Sequence, residues 1–170
     1  MGKPMLPKPM KPRGAATGYS PSSSANASRA TRKLSTAAGR DSAQTKGSFR
    51  VPAGLVLAPD TQPVVLRLTD GTGTTYYSVT IPGGSFAASG SRRSFKFNDP
   101  TLAHDGVRAS KFTITGDGAT VKYSFKMKGL DEPVFVAGTG TALIKVGTRC
   151  FADPTDTCTV APSGRSVRCK

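Results

Sequence analysis

The sequence predicts an all-β protein: an antiparallel β-sandwich or barrel of roughly eight to ten short strands, preceded by a disordered, basic, Pro/Ser-rich N-terminal extension. Three observations predict it. From Val51 onward, Val, Thr, Phe, Tyr and Ile recur in short runs punctuated by Gly, Asp, Asn and Pro, the pattern of sandwiches and barrels. No window carries apolar residues at the i, i+3, i+4, i+7 spacing of a helix face. Residues 1–50 hold few large apolar side chains, so burial there does not offset the entropy of ordering. The expected organisation is therefore an extension over 1–50 and a β domain over 51–170.

In the extension, Lys3-Pro4, Lys8-Pro9 and Lys11-Pro12 read as a polyproline-like stretch with exposed charge, and Ser20 to Ser28 as flexible linker. One short helix is conceivable around Ser28 to Ala38, with Ala30, Leu34, Ala37 and Ala38 as its apolar face. Ten bases against the single acid Asp41 give residues 1–50 a net charge of +9, out of +14 for all 170 residues. The composition is Arg-rich, Ser-rich and acid-poor, as in a transit peptide, and it lacks the ~7–15-residue apolar core of a secretory signal. Met1-Gly2 does not open a myristoylation site, because Leu6 stands where Ser or Thr is required. An arm of this charge is a candidate partner for nucleic acid.

The first expected hairpin runs from Val64 to Ile81 through Asp70-Gly71-Thr72-Gly73, with Leu68 opposite Thr75, Leu66 opposite Tyr77 and Val64 opposite Val79. Tyr76 and Ser78 would give it a partly apolar outer face. Phe86–Ala88 and Ser94–Phe97 follow as strands flanking a Gly90–Arg93 turn. The clearest hairpin is Val107 to Gly129. Asp117-Gly118, the type I′ dipeptide, sets Ile114 opposite Val121, Phe112 opposite Tyr123, Thr113 opposite Lys122 and Lys111 opposite Ser124. Apolar and polar residues then separate onto opposite faces, so a slip of one residue would destroy the pattern. Val134–Val136 and Ala142–Val146 flank Gly138-Thr139-Gly140, and Thr148–Ala152, Thr157–Val160 and Ser166–Cys169 complete the strands.

The three cysteines fall at the end of the chain. If Ser163-Gly164 forms the last turn, Cys158 lies directly opposite Cys169 and Val160 opposite Val167, which brings two Cβ atoms close to disulfide range. The rival pairing is Cys150–Cys158, closing an Asp153–Asp156 turn, although that register sets Phe151 against Cys158. Three reduced thiols are the alternative to both. A disulfide points to an oxidising compartment, extracellular or periplasmic.

The residue inventory offers little catalytic chemistry. His104, the one histidine, stands in the Pro100–Gly106 loop with no G-x-S-x-G elbow to partner it, and is expected to be a loop residue. Asp153 with Asp156, and Asp131 with Glu132, are read as turn acids rather than a calcium site. No catalytic, cofactor-binding or metal-binding residue is assigned, and no cofactor is expected. No run approaches the ~18–20 apolar residues of a transmembrane helix. The outer face of one hairpin, however, gathers Lys111, Lys122, Lys126 and Lys128, and Arg92-Arg93 sits at a turn tip. These lysines are either a solvated face that discourages edge-to-edge pairing or a site for an anionic polymer. Tyr76, Tyr77 and Tyr123 are too few and scattered for a base-stacking platform.

The run Lys126-Met127-Lys128-Gly129-Leu130-Asp131-Glu132-Pro133, followed by Leu143-Ile144-Lys145-Val146-Gly147-Thr148-Arg149-Cys150-Phe151 and a terminal Arg168-Cys169-Lys170, resembles uncharacterised β-domains of secreted or surface proteins from Gram-negative bacteria, over about Pro63 to Lys170. The resemblance implies an exported all-β domain with no known enzyme activity and no catalytic residues to carry over. Two functions follow as expectations. One is a non-enzymatic domain with a binding or structural role outside the cytoplasm, its partner an anionic polymer or cell-surface component. The other is a nucleic-acid-associated or capsid-like protein acting through the basic arm.

Overall fold

The computed structural model describes residues 26–33, 40–130, 138–163 and 166–169. Among the described residues there are eleven strands: β1 Asn26–Lys33, β2 Asp41–Arg50, β3 Val64–Thr69, β4 Thr75–Ile81, β5 Ala87–Ala88, β6 Ser94–Asn98, β7 Val107–Ile114, β8 Thr120–Leu130, β9 Gly138–Val146, β10 Arg149–Val160 and β11 Ser166–Cys169. They form one antiparallel sheet in the order β4-β3-β9-β10-β11-β1-β2-β8-β7-β6-β5. The sheet curls so that its two halves face each other. Phe49 of β2 stacks on Phe151 of β10, ring centroids 4.1 Å apart, although two strands separate them in the sheet order. Tyr77 of β4 donates from its hydroxyl to the carbonyl of Asp105 beside β7, at 2.9 Å. Inward residues of both halves, including Val64, Leu66, Ile81, Phe95, Phe112, Phe125 and Ile144, share the main core, and Cys158 and Val167 form a smaller buried cluster. The architecture is therefore the expected all-β, sandwich-like one.

The sheet begins well before Val51. β2 pairs with β8 along its whole length and with β1 on its other side. A strand in this position satisfies its backbone groups on both edges and needs only a few inward side chains. β2 supplies Ala43, Thr45 and Phe49, all buried. The low apolar content that argued for an extension to residue 50 therefore does not prevent folding, and the β domain reaches at least to Asn26. The helix considered over Ser28–Ala38 is replaced over Asn26–Lys33 by β1. The Lys-Pro stretch, residues 20–25 of the linker and the Val134–Val136 strand lie outside the described residues.

The β7–β8 hairpin has the expected register at every predicted pair, including Phe112–Tyr123 and Lys111–Ser124. Its turn differs in kind. Gly118 donates to the Thr115 carbonyl at 3.0 Å and has a φ of +69°, whereas Asp117 does not enter the positive-φ region that a type I′ turn requires of both central residues. The β3–β4 hairpin is slipped by two residues from expectation: Val64 faces Ile81, Leu66 faces Val79 and Leu68 faces Tyr77. The cause is the Asp70 carboxylate, whose Oδ1 accepts from the N–H groups of Thr72 (2.9 Å) and Thr74 (3.1 Å), drawing Thr74 into the loop. The slip is even, so each side chain keeps its face, save Tyr76. This residue falls at the register irregularity between Tyr77 and Thr75, and its ring packs on Cys158 and Val167.

The Asp153–Asp156 segment is not a turn. β10 runs through it to pair with β9, with an irregularity between Asp153 and Asp156. This removes the geometry behind the Cys150–Cys158 pairing. In the final hairpin Cys158 faces Cys169 and Val160 faces Val167, as expected. Gly140 of β9 stands close against Cys158 and Thr69. A Cβ there would lie 2.8 Å from the Cys158 sulfur and 3.0 Å from the Thr69 carbonyl oxygen, so no larger residue fits without displacement.

Candidate functional site

The strongest candidate is the outer face of β2, β8, β7 and β6. Alternation places Val121, Tyr123, Phe125 and Met127 of β8 in the core and turns Lys122, Ser124, Lys126 and Lys128 outward, the lysines exposed. On β7, Lys111 lies between buried Ser110 and Phe112 and is exposed. The four lysines expected to share a face do so. The sheet adds two more. Lys46 of β2 stands directly opposite Ser124, and Lys96 of β6 directly opposite Lys111; both are exposed. One row across the strands therefore reads Lys96, Lys111, Ser124, Lys46, and at the next register position on β1 stands Arg29.

The neighbours of Lys46 and Lys96 do not follow from local pattern, although the outward facing of Lys96 does, between buried Phe95 and Phe97. The Lys46–Ser124 pairing spans 78 positions, and Lys46 falls in the segment that composition assigned to an extension. The outer positions around the lysines are Ser42, Gln44, Ser48, Thr113, Ser94 and Asn98, and no acidic or aromatic side chain faces outward on these four strands. None of the six lysines makes an ion pair with another described residue.

The edge-protection reading of these lysines does not hold. β8, β2 and β7 are interior strands of the sheet. The edge strand β4, Thr75–Ile81, carries no charge at all, and the other edge, β5, is Ala87–Ala88. Directly opposed like charges such as Lys96 and Lys111 disfavour strand pairing. Arg92, at the other expected basic position, is committed elsewhere: its guanidinium pairs with Asp60 at 2.8 Å.

His104 takes a structural place. Its ring Nδ1 pairs with Asp99 Oδ2 at 2.8 Å, and its N–H donates to the same oxygen at 3.2 Å, while Asp99 Oδ1 accepts from the Thr101 N–H at 3.0 Å. These contacts pin a loop in which Leu102 and Asp105 adopt positive φ. The Thr101 hydroxyl first, and His104 next, hold the Asp99 carboxyl well below the usual carboxylate range. Asp117 is held low in the same way by the Thr115 hydroxyl, then by the Thr120 N–H and hydroxyl. A carboxyl lowered in the folded state stabilises fully above its unfolded pKa of about 3.9, and that contribution is lost as pH falls through this value toward the folded one. Asp99→Asn and Asp117→Asn are thus expected to lower the melting temperature at pH 7, with the gap to wild type closing below about pH 4. Thermal melts from pH 7 to 2.5 check this, and a gap independent of pH would refute it.

A second feature is a cavity of about 240 Å³ between residues 52–55 and the start of β10, lined by Pro52, Leu55, Arg149, Cys150 and Phe151. Among the described residues no group of three His, Cys, Asp or Glu side chains is placed to hold a metal ion, and no helix is long and apolar enough to cross a membrane. No family model matches the chain, and no curated protein or solved structure is similar to it.

Proposed function

We propose that this protein is a non-enzymatic, exported β-domain that binds an anionic cell-surface polysaccharide on its lysine face. The observation that carries the reading is the concentration of six exposed lysines, without a facing acid, on four adjacent strands of which β2, β8, β7 and β6 all lie inside the sheet edges. A fold that retains directly opposed lysines forgoes stability, and such departures mark functional surfaces. The polar side chains between the lysines suit a hydroxylated ligand. The lack of outward aromatic rings on these strands disfavours the base stacking that single-stranded nucleic acid uses. The test is binding of a sulfated polysaccharide and of its neutral parent at several salt concentrations. Binding of the charged polymer alone, weakening as the Debye length shortens, is expected. Equal binding of both polymers would remove the proposal.

Export rests on a Cys158–Cys169 disulfide. Its support is the direct opposition of the two residues in the last hairpin. The side chain of Cys169 lies outside the described residues. Thiol titration of the denatured, non-reduced protein is expected to find one reactive group, Cys150. A count of three would refute the disulfide and with it the case for an oxidising compartment.

The nucleic-acid reading assigned binding to residues 1–50. Four of the ten bases there, Lys3, Lys8, Lys11 and Arg13, precede the first described residue. A capsid-like role would show as salt-sensitive binding to generic RNA that is lost when residues 1–25 are removed but survives substitution of the face lysines.

A further inference from the structure

We infer that the lysine face contains a discrete subsite for a phosphate monoester, centred on Ser124. The inference rests on the polyanion reading of that face and specifies its ligand: a phosphorylated cell-surface glycan.

Ser124 has a basic residue in each of its four neighbouring positions. Lys111 is directly opposite on β7, Lys46 is directly opposite on β2, and Lys122 and Lys126 lie two residues away on either side along β8. Opposed Cβ atoms in adjacent strands are about 4.5–5.5 Å apart and i, i+2 positions about 6.8 Å. Four flexible stems thus surround one small residue. No other outer position of these strands has this environment. Ser48 comes nearest, with Lys46, Arg50 and Lys122 around it and Asn26 on β1, and Gln44 and Thr113 each adjoin two lysines.

The centre of the group is chemically suited to an oxyanion. Ser124 is half-buried, shorter than the residues around it, and its hydroxyl makes no hydrogen bond to another described residue. An anion seated above it would accept from that hydroxyl and from ammonium groups on four sides. Lysine binds phosphate as a point charge without demanding the planar geometry of arginine. A carboxylate or a sulfate ester brings one negative charge to this spot, whereas a phosphate monoester brings nearly two at neutral pH. Four converging cations therefore favour the phosphate monoester. Like charges this close repel one another, and a bound anion relieves that repulsion.

The experiment titrates the full chain with glucose 6-phosphate and with glucose 6-sulfate at equal ionic strength, by calorimetry or by NMR. At pH 7.5 the phosphate ester is expected to bind about tenfold more tightly. The preference should shrink at pH 5, where the second phosphate proton, with a pKa of about 6, returns. Lys46→Gln, Lys111→Gln, Lys122→Gln and Lys126→Gln are each expected to weaken phosphate-ester binding about three- to tenfold, and Lys96→Gln less than about twofold, since exposed pairs are individually modest. Ser124→Asp places a carboxylate at the centre and is expected to abolish binding while raising the melting temperature. This readout also separates loss of binding from misfolding.

Equal affinity for the two esters at both pH values, or an equal loss from Lys96→Gln and Lys46→Gln, would overturn the subsite while leaving polymer binding in place. Failure of the esters and of the sulfated polysaccharide alike would overturn both readings.

Discussion

Phe49→Ala is expected to lower the free energy of unfolding by about 3–5 kcal/mol, the cost of emptying a well-packed aromatic site. Phe49 is 1% exposed and sits where the two halves of the sheet meet. Its ring stacks on Phe151 of β10 at 4.1 Å, and its centroid is 6.1 Å from that of Tyr123 on β8. It also anchors the end of β2, the strand that joins β8 to β1 and through β1 to β11. Domains of this size are typically stable by only about 5–15 kcal/mol, so the variant is expected to unfold at a much lower denaturant concentration. Arg50→Ala, one position further along and exposed, should cost less than about 0.5 kcal/mol. Chemical denaturation with matched slopes measures both. A loss below about 1 kcal/mol for Phe49→Ala would return residues 41–50 to the status of a dispensable extension.

The second large effect is expected from charge reversal on the sheet face. Replacing Lys111, Lys122 and Lys126 together by Glu takes the six-lysine face from six positive charges to a balance of three and three. Each exchange removes an attraction and adds a repulsion toward a polyanion. Three such changes should reduce affinity for a sulfated polysaccharide by roughly two orders of magnitude at low salt. The salt dependence should flatten as well, since fewer charges meet the polymer. The three side chains point away from the core, so folding should be unaffected or improved: Lys111 faces Lys96, and Glu at position 111 would turn a repulsive pair into an attractive one. The comparison is clean when the variant's melting temperature matches or exceeds that of wild type. Unchanged affinity in a folded variant would exclude this face as the binding surface.

The electrostatics of the folded domain change once β1 and β2 belong to it. Composition assigns +9 to residues 1–50 and only +5 to the remainder. Arg29, Arg32, Lys33, Lys46 and Arg50 all lie in described strands, and only four bases precede Asn26. The net charge of residues 26–170 is therefore +10, 20 bases against ten acids, so most of the protein's charge is carried by the sheet domain.

Local pattern and fold agree where the turn imposes no extra demand. The β7–β8 and β10–β11 hairpins each join strands adjacent in sequence, and their apolar alternation admits one register. That fixed the facing of Lys111, Lys122, Lys126 and Lys128 and the opposition of Cys158 and Cys169. The β3–β4 hairpin shows how little displaces such a reading. Two hydrogen bonds to the Asp70 carboxylate enlarge the loop, and the ladder moves by two residues while the apolar face survives.

The sequence by itself determined the all-β class, the period-two division of the strands into core and solvent faces, and the pairings closed by short turns. Only the tertiary structure decided that β2 lies beside β8, that β3 lies beside β9, and that a segment poor in apolar residues completes the sheet. The physical reason is that a strand's face is written in its own alternation, whereas its neighbour is chosen by backbone hydrogen bonding and packing between segments far apart in the chain. The environment of Ser124, two of whose four lysines lie on its own strand, one across a tight turn and one across the sheet, contains both kinds of information.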